Sequence, residues 1–103
     1  MTLLVPTNRR PITPGEVLRV DFLNTLGLTQ GQLATALGVD RTSVSELING
    51  HRRLTPEMAL RLAHAFSNSP QYWLNLQLAV DLHDVVHSPA RDEIEHLRVL
   101  VPA

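Results

Sequence analysis

The sequence predicts an all-α protein, one domain of five helices followed by a short C-terminal tail. Three observations predict it. Ser or Thr precedes Pro at Thr13-Pro14, Thr55-Pro56, Ser69-Pro70 and Ser88-Pro89. Each pair reads as a helix N-cap and first helical residue, because the hydroxyl accepts from an orphan amide and Pro has no amide to leave unpaired. Apolar residues then recur at spacings of three and four. No segment before residue 97 alternates as a strand does.

The first helix is expected over about 14–26. Thr13 and Glu16 form a capping box, Val17, Leu18, Phe22 and Leu26 lie at helical spacing, and Gly27 ends it. Thr29 and Gln32 form a second box, opening a helix over about 30–37 that stops at Gly38 in a left-handed turn. Asp40 caps a third helix over about 41–49, ended by Asn49-Gly50. The fourth spans about 56–67 with Met58, Ala59, Leu62, Ala63 and Phe66 inward, and ends in a Ser67-Asn68 turn. The fifth runs from Pro70 to about Val86. From Ser88 onward two readings stand: a short helix with Ile94 and Leu97 on one side, or a strand over Arg98-Val99-Leu100-Val101. Residues 1–10 read as a flexible basic arm, 11–87 as the folded domain and 88–103 as the tail.

A chain of 103 residues suits one core. Hydrophobic residues make up 44% but only 4% are aromatic, so that core is mostly Leu, Val, Ala and Ile. The absence of cysteine removes disulfides, zinc fingers and thiol chemistry. With no long apolar run, and an opening MTLLVPTNRRP unlike a signal peptide, a soluble, cytoplasmic protein is expected. The net charge of −1 hides an asymmetry: residues 1–61 carry seven Arg and five acids, residues 62–103 two Arg and five acids. All nine basic residues are Arg, which suits bidentate bonding to phosphate or guanine.

The second and third helices, with Gly38 and Val39 in the turn between them, have the dimensions of a helix-turn-helix. Ala34 is small where the helices cross, Gly38 makes the turn, and Val44 and Leu47 pack the second helix down, at intervals of four, six and three residues. A plain helical hairpin would tolerate a larger residue at Ala34 and needs no polar outer face. Here Arg41, Thr42, Ser45, Glu46 and Asn49 project away from Val44, Leu47 and Ile48. In a major groove Arg41 can donate two bonds to guanine, and Thr42 or Ser45 can bond bases or touch a thymine methyl. Glu46 has two readings, acceptor from cytosine N4 or salt-bridge partner of Arg41 or Arg53. Gln30, opening the second helix, is placed to reach a phosphate. Asn49, Arg52 and Arg53 leave the third helix together and are expected on the DNA backbone. Arg9 and Arg10 are candidates for an arm in an adjacent groove.

Other classes fare worse. His83 and His87 lie four apart on a helix and could share a metal, but no third ligand is evident, so no metal or cofactor is expected. No Ser-His-Asp set, glycine-rich phosphate loop or paired buried carboxylates can be defended, so the protein is not expected to be an enzyme. A pure protein-interaction module would centre the third helix on outward apolar anchors, and residues 41–49 offer none. Tyr72, Trp73, Leu76 and Val80, with other apolar residues almost all round the fifth helix, predict a homodimer interface.

Several stretches resemble the Xre-like transcriptional regulators, and within them the HigA and VapI antitoxin group. These are Arg10-Pro11-Ile12-Thr13-Pro14-Gly15-Glu16, Leu28-Thr29-Gln30 through Asn49-Gly50, Leu54 through Ala63, and Ser69-Pro70 with Trp73-Leu74-Asn75-Leu76-Gln77 and Asp81-Leu82. The P-x-x-P-G-E opening and the W-L-N-L-Q run carry the subgroup. The resemblance covers roughly residues 10–83. It implies a five-helix, lambda-repressor-like domain, a homodimer on a palindromic operator, repression of its own operon and inhibition of a RelE-like ribonuclease toxin of HigB type. The nearest alternative is a stand-alone repressor without a toxin. Because a ribonuclease must be basic to hold RNA, Asp81, Asp84, Asp92, Glu93 and Glu95 are the candidate toxin contacts, with the basic arm competing.

Overall fold

A computed structural model describes residues 9–103, so most of the expected basic arm lies outside the described residues. Among the described residues every regular element is a helix, as the sequence predicts. The chain starts with α1 (Pro14–Val17), which passes without a break into a wider π-helical segment (Leu18–Asn24). Then come α2 (Gln30–Leu37), α3 (Arg41–Ile48), α4 (Pro56–Phe66), α5 (Pro70–Val86) and α6 (Ala90–Glu95).

The helix starts follow the local chemistry. Thr13 and Thr29 each complete a capping box: their hydroxyls accept from the Glu16 and Gln32 amides at 3.1 and 3.0 Å, and those side chains accept from the two threonine amides at 2.9 Å. Asp40 accepts from the Ser43 amide at 2.7 Å, Thr55 from Met58 at 3.2 Å and Ser69 from Tyr72 at 3.1 Å. Gly38 adopts φ 70°, the left-handed turn a Cβ would resist. The fourth Ser-Pro pair behaves differently. The Ser88 hydroxyl accepts from the Ala90 amide rather than from that of a residue three on, Pro89 is itself in helical geometry, and α6 begins at Ala90. The tail thus resolves as a short helix, and no strand forms over 98–101.

The first helix departs from the regular pitch. Leu18 and Leu23, five apart, are both buried, and the Leu28 amide bonds back to the Leu23 carbonyl at 2.9 Å. With more residues per turn the inward side advances by five rather than four. Leu26, expected inside at regular helical spacing, is consequently 57% exposed, and Leu23 takes its place in the core. The wider turns bring Phe22 against Phe66 and Trp73, with ring centroids 4.6 and 5.1 Å apart.

One core unites α1 to α5, with α6 contributing no buried residue: Leu18, Leu33, Val44, Leu62 and Trp73 are its largest fully enclosed side chains. The indole Nε1 of Trp73 donates to Asn68 Oδ1 at 2.8 Å, which satisfies its only polar atom. This corrects the expected dimer surface. Trp73 and Val80 are buried within their own chain and have no face left for a partner, and Leu76 leans on the core. What α5 leaves outward is Leu78, Leu82, Val85 and Val86, with Tyr72 near its start.

Candidate nucleic-acid interface

The helix-turn-helix is assembled as its spacing predicts: Ala34, Val44 and Leu47 are buried where α2 and α3 meet. A second contact fixes α3 from behind. Gly15 lies against the last turn of α3 so closely that a Cβ there would sit 2.2 Å from the Leu47 carbonyl oxygen and 2.8 Å from that of Ile48. Arg61 on α4 supports the turn from the other side, donating from Nη1 to the Leu37 carbonyl at 2.7 Å while Nη2 pairs with Glu57 at 2.9 Å. Sequence reasoning missed Arg61. Its only local signal was the Glu57–Arg61 spacing of four, which does not reveal the carbonyl it reaches.

On the outward side of α3, Arg41, Thr42 and Asn49 are exposed and Ser45 and Glu46 half-buried, with Asn49 Nδ2 donating to Ser45 Oγ at 3.4 Å. Among the described residues no ion pair holds the Arg41 guanidinium. Gln30, half-buried, opens α2. Glu46 pairs with neither of the arginines expected. Its Oε1 instead accepts from Arg52 Nε at 3.0 Å and Nη2 at 2.7 Å, because the turn at Gly50, with φ 78°, folds the chain back over the end of α3.

Arg53 also differs from expectation. Its guanidinium forks onto Asp81 of α5, Nη1 to Oδ1 at 2.6 Å and Nη2 to Oδ2 at 2.7 Å, rather than lying open beside Arg52. Arg10 forks onto Asp84 in the same way at 3.1 and 3.0 Å, so it is not presented as a groove arm. Each arginine holds its carboxylate partner below the usual range. Between these pairs lies a cavity of about 220 Å³, lined by Thr13, Gly15, Leu47, Arg52, Gln77 and Asp81 among others. Of the acids expected to meet a toxin, Asp81 and Asp84 are thus engaged inside the chain and Glu95 pairs with Arg91 at 2.9 Å, while Asp92 and Glu93 stand exposed in the first turn of α6. His83 and His87 stack with centroids 4.1 Å apart, His87 Nδ1 donating to the His83 carbonyl at 2.8 Å.

A polar helix face carried on a small enclosed core and fixed by backbone contact defines a helix-turn-helix DNA-binding protein. The helix-turn-helix family model matches residues 21–73. Antitoxin HigA-1 of Vibrio cholerae is 53% identical over 78 residues, covering 76% of this chain and 73% of that protein. The Pseudomonas aeruginosa antitoxin HigA, solved with the higBA promoter, superposes with a TM-score of 0.82 at 33% identity, over 89% of this chain and 100% of that one. Antitoxin GraA in complex with its operator gives 0.83 at 34% identity, over 96% and 100%. The chain belongs to the helix-turn-helix family, in its HigA antitoxin branch, and is not an enzyme. No helix among the described residues is long and apolar enough to cross a membrane.

Proposed function

We propose that this protein is a DNA-binding antitoxin that represses its own operon and neutralises a RelE-like ribonuclease toxin. The observation that carries the DNA half is the outward face of α3, polar along its length and held rigidly from behind at Gly15. Arg41 reads guanine, Thr42 and Ser45 meet neighbouring bases, and Gln30, Asn49 and Arg52 meet the backbone. Glu46 orients Arg52 rather than reading a base. Two copies joined through the outward stripe of α5 set their recognition helices about 34–36 Å apart on a palindrome. An operator-binding role requires the compartment of the chromosome, the cytoplasm.

The toxin half rests on the HigA relatives. Asp92 and Glu93, which no ion pair among the described residues engages, are the acids left to attract a basic partner.

Titration of the duplex upstream of its own reading frame at two salt concentrations tests the DNA half. Arg41→Ala costs about 1–3 kcal/mol and relaxes selectivity at one base pair, whereas Arg52→Ala weakens all sequences and flattens the salt slope by roughly one. Unchanged affinity and selectivity in Arg41→Ala would sink the base-reading role. Co-expression with the adjacent gene product and pull-down, using the full chain and a 1–87 truncation, tests the toxin half. No complex with either leaves a stand-alone repressor, and a complex with both removes Asp92 and Glu93 from the interface.

A further inference from the structure

We infer that Gln77 and Asp81 of α5 are positioning residues for DNA binding, a clamp that fixes the chain leaving the recognition helix without touching DNA. The inference rests on the DNA-binding reading above. Residues 49–55 join α3 to α4 and carry no regular structure of their own. A segment of that kind stays mobile unless its backbone is tied down. Here two consecutive residues are tied to one patch of α5. The Leu54 amide donates to Gln77 Oε1 at 2.9 Å, in a partly buried bond. The Arg53 guanidinium forks onto both oxygens of Asp81. Gln77 Nε2 then donates to Asp81 Oδ1 at 3.0 Å, so the two gripping side chains also hold each other.

This arrangement accounts for residues that the core does not. Gln77 closes the W-L-N-L-Q run, in which Trp73 fills the core, and sits one turn beyond Trp73 on α5. With its amide oxygen on the loop backbone and its amide nitrogen on Asp81, both ends of its side-chain amide are used. Leu54 is itself buried, so the bonded amide and the apolar side chain anchor the loop together. Arg52, two residues before Leu54, is then delivered to the end of α3, where Glu46 receives it.

The electrostatics separate a clamp from a phosphate contact. An arginine that displaces counterions from DNA adds roughly one to the salt slope. Arg53 spends both Nη groups on the two oxygens of Asp81, whereas Arg52 donates only from Nε and Nη2 to one oxygen of Glu46, so Arg53 is the arginine held off the phosphates. Removing the clamp therefore weakens binding through lost order, with the slope unchanged.

The test uses the full chain and the duplex upstream of its own reading frame. Gln77→Met keeps length and charge but deletes both bonds. It is expected to bind about three- to tenfold more weakly with an unaltered salt slope, the cost of ordering one or two side chains on binding. Hydrogen exchange at the Leu54 amide should accelerate in the same variant. Exchanging the charges, Arg53→Asp with Asp81→Arg, should restore most of the affinity that Arg53→Asp alone loses. Wild-type affinity in Gln77→Met overturns the clamp. So does tighter binding with a steeper slope in Asp81→Asn, which would make Arg53 a phosphate contact that Asp81 restrains. If the unaltered protein fails to bind this duplex, the DNA-binding reading falls. The clamp is then judged on exchange, and an unchanged Leu54 rate in Gln77→Met overturns it.

Discussion

At the scale of single residues, Gly15 shows how much a missing side chain can carry. A Cβ at this position would meet the backbone oxygens of Leu47 and Ile48, which cannot rotate away as a flexible side chain would. Gly15→Ala therefore has to separate α1 from α3. It is expected to lose about 1–3 kcal/mol of stability, the usual range for overpacking a tight contact, read as a lower urea midpoint, with operator binding impaired beyond the fraction unfolded. A midpoint equal to that of the unaltered protein would show that the contact is not as tight as the geometry says. The carboxylates make a second prediction. Asp40 is held below its usual range by the Ser43 amide, Glu16 by its bonds to Thr13, Asp81 by Arg53 and Asp84 by Arg10. Each therefore binds its proton less readily folded than unfolded, so the stabilisation is present above the ordinary carboxylate range and lost as pH falls through and below about 4. Urea melts at pH 7 and about pH 3 should show the loss, smaller in Asp81→Asn.

At the scale of elements, the composite first helix gives the sharpest contrast. Leu23 faces the core and Leu26 faces water, although regular helical spacing from Phe22 points to Leu26. Leu23→Ala should cost about 2–5 kcal/mol, whereas Leu26→Ala should stay within about 0.5 kcal/mol; thermal unfolding of the two variants decides it. The reverse order would mean a regular α-helix over these residues. Helix starts were legible because a cap is a conversation between residues three apart, and Thr13, Thr29, Asp40, Thr55 and Ser69 all behave as their spacing says. The widened turns were not legible, because they answer to Phe66 and Trp73, more than forty residues further along. The same limit governs the ion pairs. The polar face of α3 could be read from periodicity, but the partners of Arg53 and Arg10, separated from them by 28 and 74 positions, could not. Ser88 misled because the motif is local while the boundary of α6 depends on how α5 ends.

At the scale of the whole molecule, α5 divides its surface among three duties. Trp73 and Val80 face inward, Gln77, Asp81 and Asp84 face the loop and the start of the chain, and Leu78, Leu82, Val85 and Val86 face out. The apolar girdle that suggested dimerisation was thus half core, and only the remainder is available for association. Leu82, with 57% of its surface exposed, is the residue on which the dimer can be tested without disturbing the core. Light scattering at tens of micromolar should give twice the chain mass for the unaltered protein and the single-chain mass for Leu82→Glu, with thermal unfolding showing both folded. A single-chain mass for the unaltered protein would reject the dimer. The backbone contact at Gly15 has a consequence for descent as well as for stability. A reading helix seated on another helix's main chain cannot be tilted by exchanging a neighbour's side chain. If α3 reads DNA as proposed, lineages carrying this fold acquire new operators by altering the base-facing residues of the helix itself, at Arg41, Thr42 and Ser45. Their binding sites should diverge base by base while half-site spacing stays constant.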